Sequence, residues 1–254
     1  MEPQLPYGVT DGVATIVICQ PAKRNAMTEE MWQSLPPILD ELAADPAVRA
    51  LVLTGAGGTF CAGADISTLS GPPGTAEATQ ALAVRAEEAL AAFPKPTLAV
   101  VRGHCVGGGC QLAVACDLRF ADEEALFGVT PANLGIVYAE SSTRRLVSLV
   151  GPATAKYLLF SGELIDAARA LRTGLVDEVL PADALDERVA AFTALLTTRS
   201  QLTQAAAKDF AAGRTDRAEQ WAALARSSGE TAEGVAAFLD NRPPRFPWPP
   251  QPAE

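Results

Sequence analysis

The chain has 254 residues, 48% hydrophobic and 20% charged, with 20 Lys and Arg against 30 Asp and Glu and a formal net charge of −10. That size and composition belong to one folded domain of ordinary core size, alone or with a helical appendage, and exclude a disordered chain. An acidic balance without a basic stripe argues against nucleic acid as a partner, and no apolar run approaches a membrane span.

The N-terminal M-E-P-Q-L-P-Y lacks the basic and apolar regions of a signal peptide. Five cysteines (Cys19, Cys61, Cys105, Cys110, Cys116) are odd in number and lack CxxC spacing. They read as buried small apolar residues in a reducing compartment, so a cytoplasmic location is expected. The single histidine, His104, excludes a multi-histidine metal site, and no metal or cofactor is expected. A core position is expected for this residue.

The β-branched run 13–18 reads as a strand. After the polar turn 21–27, Thr28 is a helix N-cap ahead of Glu29 and Glu30. Met31, Leu35, Ile38, Leu39 and Leu42 keep helical spacing, and Pro36 with Pro37 predict a kink or a late start. Residues 50–54 form a second buried strand. The glycines after it do not fit a dinucleotide fingerprint, because the third is too distant and no helix opens directly.

A flexible loop is expected over 70–75 and an alanine-rich helix over 79–93, ended by Pro94 and Pro96. Strands follow at 97–101, 117–121 and 126–129. From Gly151 the pattern is almost wholly helical, near 152–160, 166–173, 183–198, 201–212, 216–226 and 229–240. A proline-rich tail is expected to run extended over a surface. No internal repeat is visible. Strands alternating with helices, followed by a helical third, predict an α/β core carrying a helical module.

The central stretch is 102–121, where an apolar strand leads into glycines at 103, 107, 108 and 109 and then a short buried helix. The first turn of a helix has N–H donors without internal partners, its dipole adds partial positive charge, and glycine admits a ligand close to the backbone. Such a turn suits a phosphate or a carbonyl oxygen that gains charge during a reaction. Close helix–strand packing accounts for the glycines equally well.

Five motifs carry a family resemblance: F-C-A-G-A-D-I at 60–66, R-G-H-C-V-G-G-G-C-Q-L-A at 102–113, F-G-V-T-P-A-N-L-G-I at 127–136, P-A-K-R-N-A-M at 21–27 and F-L-D-N-R-P-P-R-F at 238–246. In order and spacing they resemble the crotonase superfamily, the enoyl-CoA hydratase/isomerase family. The resemblance implies an α/β spiral of ββα units over residues 1–195 and a C-terminal helical trimerisation module over 196–254. It also implies a homotrimer or a dimer of trimers, with a CoA thioester as substrate.

Two backbone N–H groups, of Ala64 and Gly108, would form an oxyanion hole, and losing one such donor typically costs about 3–4 kcal/mol. Lys23 and Arg24 would meet the CoA phosphates, with a solvated surface pair as the alternative. Ala62, Ala64, Asp65, Ile66 and Gly108 would line the CoA path, Asp65 serving equally well as a turn former.

In hydratases of this family two glutamates activate water, and here their positions hold Gln111 and Pro131. General acid–base catalysis is worth roughly 10²–10⁴-fold per group, so ordinary hydration through these positions is expected to be lost. T-P-A-N-L-G-I-V-Y resembles the methylmalonyl-CoA decarboxylase branch, whose tyrosine falls at Tyr138. That branch carries histidine where Ala64 stands and glutamate where Gln111 stands. Glu140 is the other candidate, as a proton-transferring base or as a first-turn helix residue paired with Arg144. An acyl-CoA binder without turnover also fits the loss of both glutamates.

Overall fold

The computed structural model describes residues 2–68 and 74–246. A six-stranded sheet forms the centre, in the order β1 (Tyr7–Thr10), β2 (Val13–Ile18), β3 (Ala50–Gly55), β4 (Thr97–Val101), β6 (Leu118–Asp122), β9 (Glu178–Leu180). β1 is antiparallel to β2, and every other pairing is parallel. A small second sheet holds β5 (His104–Val106), β7 (Leu126–Gly128) and β8 (Ile165–Asp166). β8 and β9 interrupt a stretch whose sequence pattern is helical throughout, because strands of two and three residues leave no periodicity to read.

The two sheets are linked by repetition. β4 lies in the large sheet, β5 in the small one, and α3 (Gly108–Ala115) follows. β6, β7 and α4 (Glu140–Ser161) repeat the order. Earlier turns reduce the second strand to single bridges: Cys61 pairs with Cys105 ahead of α2 (Thr75–Ala91), and Met27 with Ala64 ahead of α1 (Glu29–Ala44). The chain is therefore an α/β spiral of ββα units with a helical C-terminal region.

One face of the large sheet, with Ile16, Leu51, Leu53, Ala99 and Val101, buries against α1, α2 and α3 in the main core. The other, with Val52, Leu98, Val100 and Phe120, is covered by α6 (Leu185–Thr197) through Leu185, Val189 and Phe192.

Thr28 caps α1 as expected, its hydroxyl accepting from the Met31 N–H at 3.3 Å. The helix neither starts late nor stops at the prolines; Pro36 and Pro37 both lie inside it. Burial of Met31, Trp32, Leu35, Leu39 and Leu42 along one side offsets the two missing donors. In α4 the break falls instead at Gly151, whose φ of 76° leaves the helical region ahead of Pro152.

The remaining helices are α5 (Ala167–Arg172), α7 (Gln201–Ala211), α8 (Ala218–Ser227) and α9 (Glu230–Leu239). Buried Asp209 ties α7 to α8, accepting from Trp221 Nε1 at 2.8 Å and Arg214 Nε at 2.9 Å. The loop expected at 70–75 and the tail from 247 fall largely outside the described residues. All five cysteines are free and buried, and burial pushes the Cys61 and Cys116 thiols up to about 12. No helix of the described residues is long and apolar enough to cross a membrane.

Candidate active site

Successive turns of the spiral bring two loops together beside α3. Met27 donates to the Gly63 carbonyl and accepts from the Asp65 N–H, at 2.8 and 2.9 Å. Because backbone groups alternate along an extended segment, the intervening Ala64 N–H points away from Met27, toward the next turn. There stands Gly108, the first residue of α3, whose N–H has no intrahelical acceptor. Neither N–H has a hydrogen-bond partner among the described residues.

The two loops are close: a Cβ built on Gly108 would lie 3.5 Å from the Ala64 nitrogen and 3.0 Å from Trp32 Cζ2. Two features of the glycine run enforce this approach. Gly107 turns the chain into α3 at φ 54°, ψ −120°, outside the range open to other residues. At Gly109 a Cβ would stand 2.2 Å from the Cys61 carbonyl oxygen.

Both N–H groups border a cavity of about 150 Å³ walled by Trp32, Ala62, Ile66, Ala83, Ile136 and Tyr138, with Gln111 and Pro131 also lining it. Among the described residues, Tyr138 is the only lining side chain that titrates. Its hydroxyl has no hydrogen-bond partner among the described residues, and burial above all holds the phenol well above its ordinary value, so it stays protonated. A leucine–valine rim, Leu134 and Val137, is exposed at the mouth. Gln80 Nε2 clips that rim to α2 by donating to the Val137 carbonyl at 2.5 Å.

Glu140 is not brought to this cavity. Its side chain is 83% exposed and lies 3.4 Å from Arg144 one turn on, the surface pair favoured by the spacing and by the helix dipole. Lys23 and Arg24 are exposed on the turn before α1. Lys23 Nζ lies 2.6 Å from Asp65 Oδ2, while Asp65 Oδ1 accepts from the Ser67 N–H and hydroxyl, at 3.1 and 2.7 Å. Asp65 thus shapes its own turn and anchors Lys23 as well. Burial opposes its ionisation, but Lys23 and Ser67 outweigh this and hold the carboxyl below its ordinary value. His104 sits half-buried in β5.

Sequence reasoning missed a buried polar cluster directly behind Gln111. Glu87 of α2 is wholly buried and accepts from Gln111 Nε2 at 2.6 Å, from the Ser142 hydroxyl and from Arg145 Nη1. Gln111 Nε2 also donates to Ser142 Oγ at 3.1 Å. Arg145 reaches Glu88 as well, at 3.1 Å. Burial pushes the Glu87 carboxyl above its ordinary value, opposed by Ser142, Arg145 and Gln111. The signal was present: Thr79, Ala83, Glu87 and Leu90 form one buried stripe, so an acid stands at a core-facing position.

Residues 8–248 match the family model described as enoyl-CoA hydratase/isomerase. The chain is similar to a putative enoyl-CoA hydratase of Thermus thermophilus, 40% identical over 92% of this chain and 97% of that protein. It is also similar to a crotonyl-CoA hydratase of Syntrophomonas wolfei, 34% identical over 92% and 94% of the two chains. The crystal structure of a putative enoyl-CoA hydratase/isomerase family protein from Hyphomonas neptunium superposes with a TM-score of 0.90 at 34% identity, over 95% and 97% of the two chains.

Proposed function

The chain belongs to the enoyl-CoA hydratase/isomerase family, and from that premise we propose that it holds an acyl-CoA thioester with the carbonyl oxygen between the Ala64 and Gly108 N–H groups. The observation that carries this reading is the pair of unpartnered donors bordering a cavity whose lining, among the described residues, contains no carboxylate. Donors fixed in place stabilise negative charge as it develops on the thioester oxygen, at no cost in reorganisation. The site therefore favours reactions through an enolate. Direct hydration of a simple enoyl thioester lacks a base to activate water. Lys23 and Arg24, exposed on the turn before α1, are the cations available to the CoA phosphates.

Tyr138 favours a second, more specific reading. Its protonated, unpartnered hydroxyl in the cavity suits a proton donor to an enolate carbon. In a decarboxylation the bond to the departing carboxylate breaks and its electron pair forms the enolate. The Tyr138 proton would then quench the carbon, and solvent would restore it.

The test mixes the protein with crotonyl-CoA, a longer trans-2-enoyl-CoA and methylmalonyl-CoA. Binding is followed by calorimetry, hydration by loss of the enoyl absorbance, and decarboxylation by CO₂ release. Binding without rapid hydration is expected, with any CO₂ release slowed by Tyr138→Phe. Absence of binding overturns the acyl-CoA reading, and rapid hydration overturns the claim that Gln111 and Pro131 matter. Tight binding with no turnover of any of the three assigns the chain to the acyl-CoA binders.

A further inference from the structure

Gln111 lines the cavity, and the cluster behind it decides which end of its amide faces out. Its Nε2 carries two hydrogens, and both are engaged: one donates to Glu87 Oε2 at 2.6 Å, the other to Ser142 Oγ at 3.1 Å. Ser142 is left as an acceptor for Gln111 because its own proton goes to Glu87. Arg145 takes the other carboxylate oxygen, Oε1. Every hydrogen bond to Glu87 is one that it accepts, the pattern of an ionised carboxylate. Turning the Gln111 amide over would bring its oxygen against that carboxylate and leave a buried acceptor pair without a proton between them.

We propose that Glu87 is a positioning residue that, with Ser142 and Arg145, keeps both Gln111 N–H groups inside the protein and presents Gln111 Oε1 to the cavity as a fixed acceptor. The inference rests on the acyl-CoA reading of the cavity and adds a polarity rule to it. α3 places the Gln111 side chain one turn beyond the Gly108 N–H, on the same side of the helix. A ligand thus meets donors at its thioester oxygen and, close by, an acceptor. The group that satisfies the acceptor is a hydroxyl on the acyl chain near the carbonyl. An acyl chain bearing another acceptor there would be disfavoured.

The rule is read from two thioesters that differ only in that hydroxyl, butyryl-CoA and 3-hydroxybutyryl-CoA, titrated calorimetrically into the intact protein. One neutral hydrogen bond predicts that the hydroxylated ligand binds about two- to tenfold tighter. In Glu87→Gln the introduced amide keeps its oxygen on Arg145 and turns its N–H₂ toward Gln111. The Gln111 amide then turns over, and the preference falls to one or reverses. Arg145 keeps Glu88 as a partner, which limits the disturbance. If Glu87→Gln does not fold, Ser142→Ala, which leaves the ion pair in place, must lower the ratio in the same direction.

Gln111→Met removes the acceptor outright. Adding Glu87→Gln to it should change the ratio no further, whereas a merely structural Glu87 would lower both affinities and leave the ratio alone. An equal affinity for the two ligands in the native protein, or a preference unchanged in Glu87→Gln and Ser142→Ala, overturns the proposal while the acyl-CoA reading stands. Failure of both ligands to bind the native protein overturns the two together.

Discussion

Gln111→Glu places a second carboxylate against Glu87, and the consequence is calculable. The amide nitrogen it replaces lies 2.6 Å from Glu87 Oε2, so the two charge centres would be roughly 4 Å apart, where like charges repel by about 4 kcal/mol at an effective dielectric constant of 20. That corresponds to a rise of about three pKa units for the pair, which titrates as one coupled unit. Arg145 already serves Glu87 and cannot face both acids equally, so one proton should be retained toward neutral pH. The sign follows from linkage. A carboxyl whose folded pKa lies above its unfolded value holds more protons folded than unfolded, so stability falls as pH rises between those two values.

The assay is thermal or urea unfolding of the native protein and the variant from pH 4.5 to 8.5. At the acid end the two should be close, and toward pH 8 the variant should have lost about 3–4 kcal/mol relative to the native protein. Superimposable profiles would refute the reasoning, because they would mean that residue 111 does not rest against an ionised Glu87. The same variant restores an acid to the cavity wall. Any gain of crotonyl-CoA hydration should appear only above the raised pKa, where the introduced group acts as a base.

Gly109→Ala should lower the melting temperature by roughly 5–10 °C in a circular-dichroism melt, since the added methyl meets the Cys61 carbonyl oxygen at 2.2 Å and overpacking costs roughly 1–3 kcal/mol. Tyr138→Phe should change unfolding free energy by less than about 1 kcal/mol, because the hydroxyl has no hydrogen-bond partner among the described residues to lose, while any decarboxylation slows. Asp65 has its carboxyl held below the ordinary 3.8, so it stabilises the fold above that value and the contribution is lost as pH falls through the depressed one. Asp65→Asn should therefore flatten the acid limb of the stability curve. Phe238 and Leu239 are 85% and 76% exposed on α9. If that apolar end joins copies of the chain, light scattering should give three or six times the 26.5 kDa monomer, and Phe238→Asp should lower it.

In the large sheet β2, β3, β4 and β6 were legible, β4 as the continuous apolar run 97–101, whereas β1 and β9, four and three residues long, were not. Of the second sheet only β7 was read, as 126–129, and the repeat was not visible in the residue pattern. Its strands are three residues or fewer, and in the first two turns they shrink to bridges at Met27 and Cys61, too short to carry any period. Those bridges nevertheless do the positioning, since the Met27 pairing is what turns the Ala64 N–H outward.

At the site, Gly108 could be read from strand, glycine and helix alone, whereas Ala64 needed the family resemblance. Glu140 took the second of its two readings, the first-turn helix residue paired with Arg144. The apolar Leu134 and Val137 before it are themselves exposed at the rim, so they shield nothing. Glu87 drew no reading inside the alanine-rich helix, although its spacing from Ala83 and Leu90 puts it in the core.

The division of labour in the site explains why kinship informs binding more firmly than reaction. Both donors aimed at the cavity are backbone N–H groups, held by the Met27–Ala64 bridge and by the first turn of α3, and side-chain replacement leaves them in place. The side chains that would move protons are separate from that frame, so a glutamine at 111 and a proline at 131 leave it undisturbed. Pro131 begins a one-turn helix that needs no donor at that position, and Gln111 exchanges a charge for an amide locked by Glu87. On the proposed acyl-CoA reading, a chain built this way retains its thioester seat through many substitutions, and its chemistry changes with two or three side chains around it.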